Sequence, residues 1–269
     1  MPHAAEPQGA IIITGAAGGM GRPAAIRFAK RGQPLILCDI SAERLDALAA
    51  ELAGSGAPVV TLAGDLSAPD FPARLLALVG DQEIAAVVHT AGLSPTMADG
   101  DRVLEVNYFA TERLVDALAP RMAEGGCAVL ISSSSGYMIP APEMIAAVKA
   151  MVDGGGREAV AAFLQSPQTA YPISKLGVMK LVAKESVRFG QRGARIVSIA
   201  PGFIDTEMSR AEAQASEMMR AMMQRVPLQR MGLGDEIASV AEFLCSPAAS
   251  YISGCDIKVD GGSLGEMGL

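Results

Sequence analysis

The run AIIITGAAGGMG, at residues 10–21 of this 269-residue chain, decides the fold. Its apolar first half predicts a buried strand over residues 10–14, and a helical pattern follows over residues 22–30. Glycines between a strand and a helix permit a tight turn and let the backbone approach a phosphate, whose charge the free N–H groups and the helix dipole meet. The run therefore favours a dinucleotide-binding turn, although an ordinary glycine-rich turn stays open.

Beyond this run, short β-rich segments alternate with helical ones along the whole chain. This alternation predicts a single-domain α/β Rossmann fold over residues 1–269, a doubly wound, seven-stranded parallel sheet with helices on both faces. The other predicted strands are 34–39, 59–63, 85–90, 128–132, 195–200 and 256–260, and the other predicted helices are 42–53, 73–79, 111–122, 174–189 and 236–244. Residues 140–167 hold two short helical patterns around Gly154-Gly155-Gly156, which we interpret as a helical insertion.

Composition argues against several classes of protein. Half of the residues are hydrophobic and 19% are charged, and the net charge of -7 comes with scattered Lys and Arg, which disfavours nucleic-acid binding. No apolar run approaches the roughly 20 residues that span a bilayer, so we expect no membrane contact and a cytoplasmic protein. The four cysteines are far apart and form no C-x-x-C pair, so we expect neither a disulfide framework nor a metal site.

Asp39 ends the second predicted strand, 24 residues beyond Gly15. A carboxylate there would accept hydrogen bonds from the hydroxyls of an adenosine ribose and would repel a 2′-phosphate, which favours NAD over NADP. Asp39 could instead only begin the turn to Ser41, a suitable helix N-cap.

Tyr171 and Lys175 are four residues apart, with Pro172 suited to the first turn of a helix, so both side chains should lie on one face near its N-terminus. A free phenol has a pKa of about 10, too high for a general base at neutral pH. An ammonium group at ~4 Å is worth roughly 4 kcal/mol at an effective dielectric of 20, enough to lower that pKa by about three units. Such a pair is common by itself, so it gains meaning only beside the glycine-rich turn.

Together, T-G-x-x-x-G-x-G at Thr14 to Gly21, Y-x-x-x-K at Tyr171 to Lys175 and a serine cluster between them resemble the short-chain dehydrogenase/reductase family, over nearly the whole chain. The resemblance implies a dinucleotide cofactor whose contacts include Tyr171 and Lys175. The other cofactor contacts it implies are Gly15, Gly19, Met20, Gly21, Asp39, Ile40, Asp65, Leu66, Ala91, Gly92, Pro201, Gly202, Ile204 and Thr206.

The resemblance also implies a catalytic set. Among Ser132 to Ser135, the family spacing of three residues before Gly136 selects Ser133 to hold the substrate oxygen, although a neighbouring serine stays open. Asn107 resembles the family asparagine that keeps a water beside the lysine, although a structural asparagine stays open. Tyr171 would remove the hydroxyl proton while the nicotinamide accepts a hydride, and Lys175 would also hold the nicotinamide ribose.

Two departures from the family pattern bear on the site. His89-Thr90-Ala91-Gly92 stands where many relatives have Asn-Asn-Ala-Gly, and we interpret His89 as a packed or solvent-edge histidine rather than a catalytic one. Ser133 and Tyr171 are 38 residues apart, where the family commonly has about a dozen. This spacing resembles the bacterial 3α-hydroxysteroid dehydrogenase/carbonyl reductase subgroup. We expect a homo-oligomer whose interface the insertion alters.

Six methionines lie from Met208 to Met231 inclusive, within residues 203–231, where the family has its substrate lid. Thioethers adapt to varied apolar shapes, so we expect an apolar secondary alcohol or ketone, hydroxysteroid-like or alicyclic, although ordinary methionine packing explains the pattern equally well. The alternatives are a ketoacyl-thioester reductase, which Asp39 and the acidic composition disfavour, and a non-catalytic dinucleotide sensor, which would not need Ser133, Tyr171 and Lys175 together.

Overall fold

The computed structural model describes residues 6–207, 209–210 and 217–269, with the backbone alone for Met218 and Met219. Seven parallel strands form one sheet in the order β3-β2-β1-β4-β5-β6-β7, which confirms the predicted Rossmann-type α/β fold. In chain order the strands are β1 (Ala10–Thr14), β2 (Leu35–Asp39), β3 (Val59–Ala63), β4 (Ile84–His89), β5 (Met122–Ile131), β6 (Arg195–Pro201) and β7 (Asp256–Val259). Ile204–Asp205 and Gly232–Leu233 form a separate short parallel pair.

Helices cover both faces of the sheet. In chain order they are α1 (Gly21–Ala29), α2 (Ala42–Leu52), α3 (Phe71–Val79), α4 (Gly100–Leu104), α5 (Ala110–Leu118), α6 (Pro142–Ala150), α7 (Pro167–Gly190), α8 (Glu217–Gln224), α9 (Gly234–Leu244) and α10 (Ser263–Glu266). A π-helical turn, Glu105–Phe109, joins α4 to α5 into one continuous helical stretch. No helix among the described residues has both the length and the apolar character to cross a bilayer.

The two faces of β1 show how the sheet is buried. Ile12 packs in one hydrophobic core, whereas Ile11 and Ile13 pack in the other, and all three are fully buried. Side chains of a strand alternate between its faces, so a strand buried on both sides is apolar at every position. Burial on both faces therefore explains why the apolar run of β1 is uninterrupted.

Two predicted helix boundaries are wrong. The fourth helical stretch begins at Gly100 rather than at residue 111, because the Asp99 side chain accepts a hydrogen bond from the backbone N–H of Arg102 and caps it. Helix α7 begins at Pro167, where the Ser166 hydroxyl accepts from the Thr169 N–H. Pro172 therefore lies inside α7 and not in its first turn.

Residues 140–167 pack against the rest of the chain. They form α6, a π-helical turn at Met151–Gly155 and a 3₁₀ helix at Arg157–Phe163. Arg157 donates to the carboxylates of Asp101 and Glu105, at 2.9 and 2.6 Å, and its guanidinium lies 5.1 Å from the centroid of the Phe109 ring. The segment is thus fixed to the helical stretch that contains α4.

Candidate active site

The glycine-rich turn connects β1 to α1. Gly15 has a φ of +63°, in the left-handed region that glycine adopts without strain. A Cβ at Gly21 would lie 2.0 Å from the carbonyl oxygen of Gly15, so a larger residue cannot start the helix this close to the turn. Helix α1 begins at Gly21 without a side-chain cap from Met20. Arg22 donates its N–H to the Gly18 carbonyl oxygen at 3.0 Å and Pro23 has no N–H, which leaves the N–H of Gly21 to meet an anion in the turn.

The segment after β6 packs directly on this turn. A Cβ at Gly19 would lie 2.6 Å from the Thr206 Cγ2, so the missing side chain makes room for Thr206. The Thr206 N–H donates to the Ser209 hydroxyl at 3.0 Å, which holds the threonine in place. A Cβ at Gly202 would lie 2.7 Å from the Cα of Asp260, so the chain after Pro201 is tied to the segment that follows β7.

Asp39 links the end of β2 to the glycine-rich turn. Its carboxylate accepts from the backbone N–H of Ala17 at 3.0 Å and from that of Ser41 at 3.2 Å. The hydroxyl of Ser41 caps α2 by accepting from the Arg44 N–H. Asp39 thus begins the turn to Ser41, and it also presents a negative charge beside the turn. Arg44, which sequence reasoning missed, donates to the carbonyl oxygen of Ala17 at 2.6 Å.

Asp65 follows β3 and is held by a second residue that the sequence did not indicate. Its carboxylate accepts from the backbone and hydroxyl of Ser67, and from Arg102 at 2.6 Å. Burial acts to raise the pKa of Asp65, but the hydrogen bonds from Ser67 and Arg102 outweigh it and lower that pKa. Asp65 is therefore an anion at neutral pH, and Leu66 beside it is buried.

Tyr171 and Lys175 lie one turn apart on α7. Lys175 is only 6% exposed, and its ammonium group donates to the carbonyl oxygen of Ile131, at the end of β5, at 3.0 Å. The Lys175 Nζ lies 5.7 Å from the centroid of the Tyr171 ring. Burial lowers the pKa of Lys175 to about 8, since the charged form loses its hydration. The positive charge is therefore retained below that pH, next to the phenol.

Ser133 caps the 3₁₀ turn Ser134–Tyr137 that follows β5. Its Oγ accepts from the Ser135 N–H at 3.2 Å and from the Ser135 hydroxyl at 3.0 Å, so its own proton is available for another acceptor. Ser132 is different, because its hydroxyl is buried 2.8 Å from the Ile199 carbonyl oxygen and 2.6 Å from the Asp256 carboxylate. Ser135, which orients Ser133, lies two residues after it in the same run of serines. That proximity is the signal in the sequence that could have indicated this contact.

Asn107 lies in the π-helical turn and is 2% exposed. Its side chain accepts from the Leu93 N–H at 2.7 Å and donates to the Leu93 carbonyl oxygen at 2.9 Å and to the Ser174 hydroxyl at 3.3 Å. A Cβ at Gly92 would lie 3.1 Å from the Asn107 Oδ1 and 3.5 Å from the Lys175 Nζ. The bare Gly92 backbone therefore keeps Asn107 and Lys175 close together.

One cavity gathers half of the predicted site residues at the carboxyl ends of the strands, where open α/β sheets bind their ligands. Ser133, Tyr171 and Lys175 share it with Met20 of the glycine-rich turn and with residues of the segment after β6. The described lining residues are Met20, Thr90, Gly92, Leu93, Ile131, Ser132, Ser133, Tyr171, Lys175, Pro201, Gly202, Ile204, Thr206 and Ser209. The predicted site residues that are not among them are Gly15, Gly19, Gly21, Asp39, Ile40, Asp65, Leu66, Ala91 and Asn107. Within the described ranges, no group of three or more His, Cys, Asp or Glu side chains could hold a metal ion.

His89 ends β4 and is packed inside the protein, with 3% of its surface exposed. Burial, aided by the positive charge of Lys175, lowers its pKa to about 3. His89 is therefore neutral at physiological pH and does not line the cavity.

The methionine-rich segment is described only in part. Helix α8 lies within it, and the side chains of Met222 and Met223 are half-buried. Met208 and residues 211–216 lie outside the described residues, as do the side chains of Met218 and Met219.

Two family models match most of this chain. Residues 9–155 match the family described as short chain dehydrogenase. The chain belongs to the short-chain dehydrogenase/reductase family. Residues 159–263 match a further model of this kind, described as enoyl-(acyl carrier protein) reductase. Members of this family bind nicotinamide dinucleotide cofactors, and the chain is an oxidoreductase of the family.

Its relatives include hydroxysteroid dehydrogenases. The chain is 31% identical to the short-chain dehydrogenase/reductase bsc3 of Alternaria brassicicola, over 96% of each chain. It is 29% identical to the 7alpha-hydroxysteroid dehydrogenase of Escherichia coli K12, over 95% of this chain and 94% of that one. An uncharacterized short-chain type dehydrogenase/reductase of Sinorhizobium fredii is 30% identical over 96% of this chain, which spans 44% of that protein's length.

A solved structure shows the same architecture. The 3-alpha-hydroxysteroid dehydrogenase from Pseudomonas sp. B-0831, complexed with NADH, superposes with a TM-score of 0.78 at 29% identity, over 96% of this chain and 98% of that one.

Proposed function

We propose that the protein is an NAD(H)-dependent dehydrogenase that interconverts an apolar secondary alcohol and a ketone. The observation that carries this proposal is the cavity in which Ser133, Tyr171 and Lys175 meet Met20 of the glycine-rich turn. An ammonium group beside a phenol, with a serine hydroxyl whose proton is available, is suited to move a proton at a substrate oxygen. A non-catalytic sensor has no use for this combination.

The residues present fit a nicotinamide dinucleotide. The contact between Gly15 and Gly21 leaves a bare backbone at the start of α1, where the N–H of Gly21 and the positive end of the helix dipole can bind a pyrophosphate. When bound, the nicotinamide supplies the hydride acceptor for oxidation and the hydride donor for reduction. Thr206 and Lys175, which line the cavity, would hold the nicotinamide end.

The protein's own groups would carry the proton. In oxidation, Tyr171 takes the hydroxyl proton of the alcohol, and in reduction it gives a proton to the ketone oxygen. The positive charge of Lys175 favours the phenolate by Coulomb attraction. Ser133 donates its remaining proton to the substrate oxygen, because both of its contacts with Ser135 use its lone pairs. Asn107 holds the Leu93 backbone that lines the cavity beside them.

Asp39 supports the choice of NAD over NADP. A 2′-phosphate at ~5 Å from its carboxylate would be repelled by roughly 3 kcal/mol at an effective dielectric of 20, which corresponds to about a hundredfold in affinity. We therefore expect NADH to bind about a hundredfold more tightly than NADPH, as measured by quenching of nucleotide fluorescence.

In the Asp39→Asn variant, the ratio of NADH affinity to NADPH affinity should be at least tenfold smaller than in the native protein. Asp46→Asn is the matched control, since it removes an exposed carboxylate of α2 and should leave the preference unchanged. Equal binding of both cofactors to the native protein would contradict the assignment of Asp39.

The substrate class is tested with a panel of hydroxysteroids, cyclic alcohols and diketones, followed by the absorbance of NADH. The names of two relatives support an apolar ring substrate. We expect turnover with at least one compound of the panel. Turnover restricted to a ketoacyl thioester, with NADPH as donor, would favour the alternative reductase.

We also propose that the protein forms a homo-oligomer whose interface residues 140–167 alter. This segment is fixed on its own subunit through Arg157 and through Lys184, whose ammonium group donates to the Val152 carbonyl oxygen at 2.7 Å. It therefore covers part of the helical surface formed by α4 and α7. Analytical ultracentrifugation with crosslinking tests this, and an oligomer joined through an uncovered α4 and α7 surface would refute it.

A further inference from the structure

A chain of hydrogen bonds runs through the interior behind the cavity. The Thr14 hydroxyl lies 2.6 Å from the His89 Nδ1, and the His89 Nε2 lies 2.8 Å from the Thr111 hydroxyl. That hydroxyl donates to the backbone carbonyl oxygen of Asn107 at 3.0 Å. All four residues are at most 3% exposed, so water does not compete for these bonds.

The chemistry of the groups fixes the direction of every bond. A carbonyl oxygen only accepts, so the proton of Thr111 is used on Asn107. The Thr111 oxygen must then accept from His89, which places the imidazole proton on Nε2. The Nδ1 of His89 is therefore the acceptor, and Thr14 donates to it. A neutral imidazole with this one tautomer satisfies the whole chain, whereas a doubly protonated ring would face Thr14 with a second donor.

This series of hydrogen bonds continues from the π-helical turn to α7, the helix that contains Tyr171. Asn107 donates through its side chain to Ser174, whose hydroxyl donates to the Tyr171 carbonyl oxygen at 2.7 Å. The same side chain fixes both backbone groups of Leu93. A π-helical turn departs from the regular helical hydrogen bonding. Here Thr111, four residues after Asn107, stabilises the turn by donating its hydroxyl proton to the Asn107 carbonyl oxygen.

We infer that His89 is a positioning residue, which holds Asn107 through Thr111 and thereby sets Tyr171 against Lys175. It contacts neither substrate nor cofactor in this role. The inference rests on the proposed function only in that Tyr171 and Lys175 do the chemistry. Where many relatives have asparagine, this chain has a longer side chain that bridges Thr14 at the end of β1 and Thr111 in the first turn of α5.

Three variants distinguish the contact of the His89 ring with Thr14 from its contact with Thr111. His89→Asn keeps a polar group near Thr14 but is too short to reach Thr111. His89→Gln places an N–H donor near the position of Nε2 and is the conservative rescue. Thr111→Val breaks the chain from the other side while His89 stays intact.

The first readout needs no substrate. The absorbance change of tyrosinate is titrated in each variant with and without Tyr171→Phe, so that the difference reports Tyr171 alone. A displacement of ~1 Å between the phenol and the ammonium group raises the Tyr171 titration midpoint by roughly 0.5 pH units. We expect this rise in His89→Asn and Thr111→Val, and a return towards the native midpoint in His89→Gln. An unchanged midpoint in folded Thr111→Val would overturn the inference.

The second readout uses the panel alcohol with the highest turnover. We expect kcat to fall at least tenfold in His89→Asn and in Thr111→Val, while the dissociation constant of NADH changes less than twofold. The kcat of the double variant His89→Asn/Thr111→Val should be no lower than that of either single variant, because both substitutions break the same series of hydrogen bonds. Fully multiplicative losses would also overturn the inference. If no panel alcohol is turned over, the proposed function fails, and the tyrosine titration still decides on His89.

Discussion

Acidification should destabilise the folded protein through His89. Burial is the main reason that its pKa is about 3 rather than 6.5, and the charge of Lys175 lowers it further. The unfolded chain binds a proton below pH 6.5, whereas the folded protein does not until about pH 3. Stability therefore falls as the pH drops through this window and is unaffected above it. At pH 5.0 the difference is about 1.5 pH units, or about 2 kcal/mol.

Urea unfolding at pH 8.0 and pH 5.0 measures this effect. Between pH 8.0 and pH 5.0, the free energy of unfolding of the native protein should fall by about 2 kcal/mol more than that of His89→Asn, whose side chain does not titrate. His3→Gln is the matched control, because it removes the only other histidine of the chain and should lose as much as the native protein. Equal losses in the native protein and in His89→Asn would refute the picture of a neutral, buried imidazole. A direct check is the imidazole proton, which ¹⁵N–¹H correlation spectra of His3→Gln should place on Nε2 alone.

Two further substitutions test other parts of the site. Gly21→Ala should weaken NADH binding at least a hundredfold in fluorescence titrations, since its Cβ would lie 2.0 Å from the Gly15 carbonyl oxygen, whereas Gly54→Ala, with no atom within 4 Å of its Cβ, should bind normally. Ser135→Ala should lower kcat roughly tenfold with NADH affinity unchanged, because Ser133 loses the hydroxyl that orients its proton. Ser134→Ala is its control, and equal losses in the two serine variants would contradict this role.

The sequence was sufficient for the sheet and for the local part of the site. Strands such as β1 are continuous apolar runs bounded by turn residues, so the pattern alone indicates them. The start of β5 was not predicted, because Gly125 and Gly126 interrupt its apolar pattern before Cys127. The fourth helix was predicted, but its start was placed at residue 111 because the stretch begins with Gly100 and passes through a π-helical turn.

Contacts between distant parts of the chain could not be predicted. Arg102 pairs with Asp65 across 37 residues, and no local pattern relates the two. The same holds for His89, whose partners Thr14 and Thr111 come from other elements. Such contacts depend on how strands and helices pack, whereas the glycine-rich turn and the spacing of Tyr171 and Lys175 depend only on local order along the chain.

The most direct test of the account compares the native protein with Tyr171→Phe, using NAD⁺ and the hydroxysteroids and cyclic alcohols of the panel. The native protein should form NADH with at least one of them. Tyr171→Phe should bind NADH within about twofold of the native affinity and form it roughly a thousandfold more slowly, the usual scale of general acid–base catalysis. Undiminished turnover by Tyr171→Phe, or no NADH from the native protein with any panel alcohol, would contradict the account.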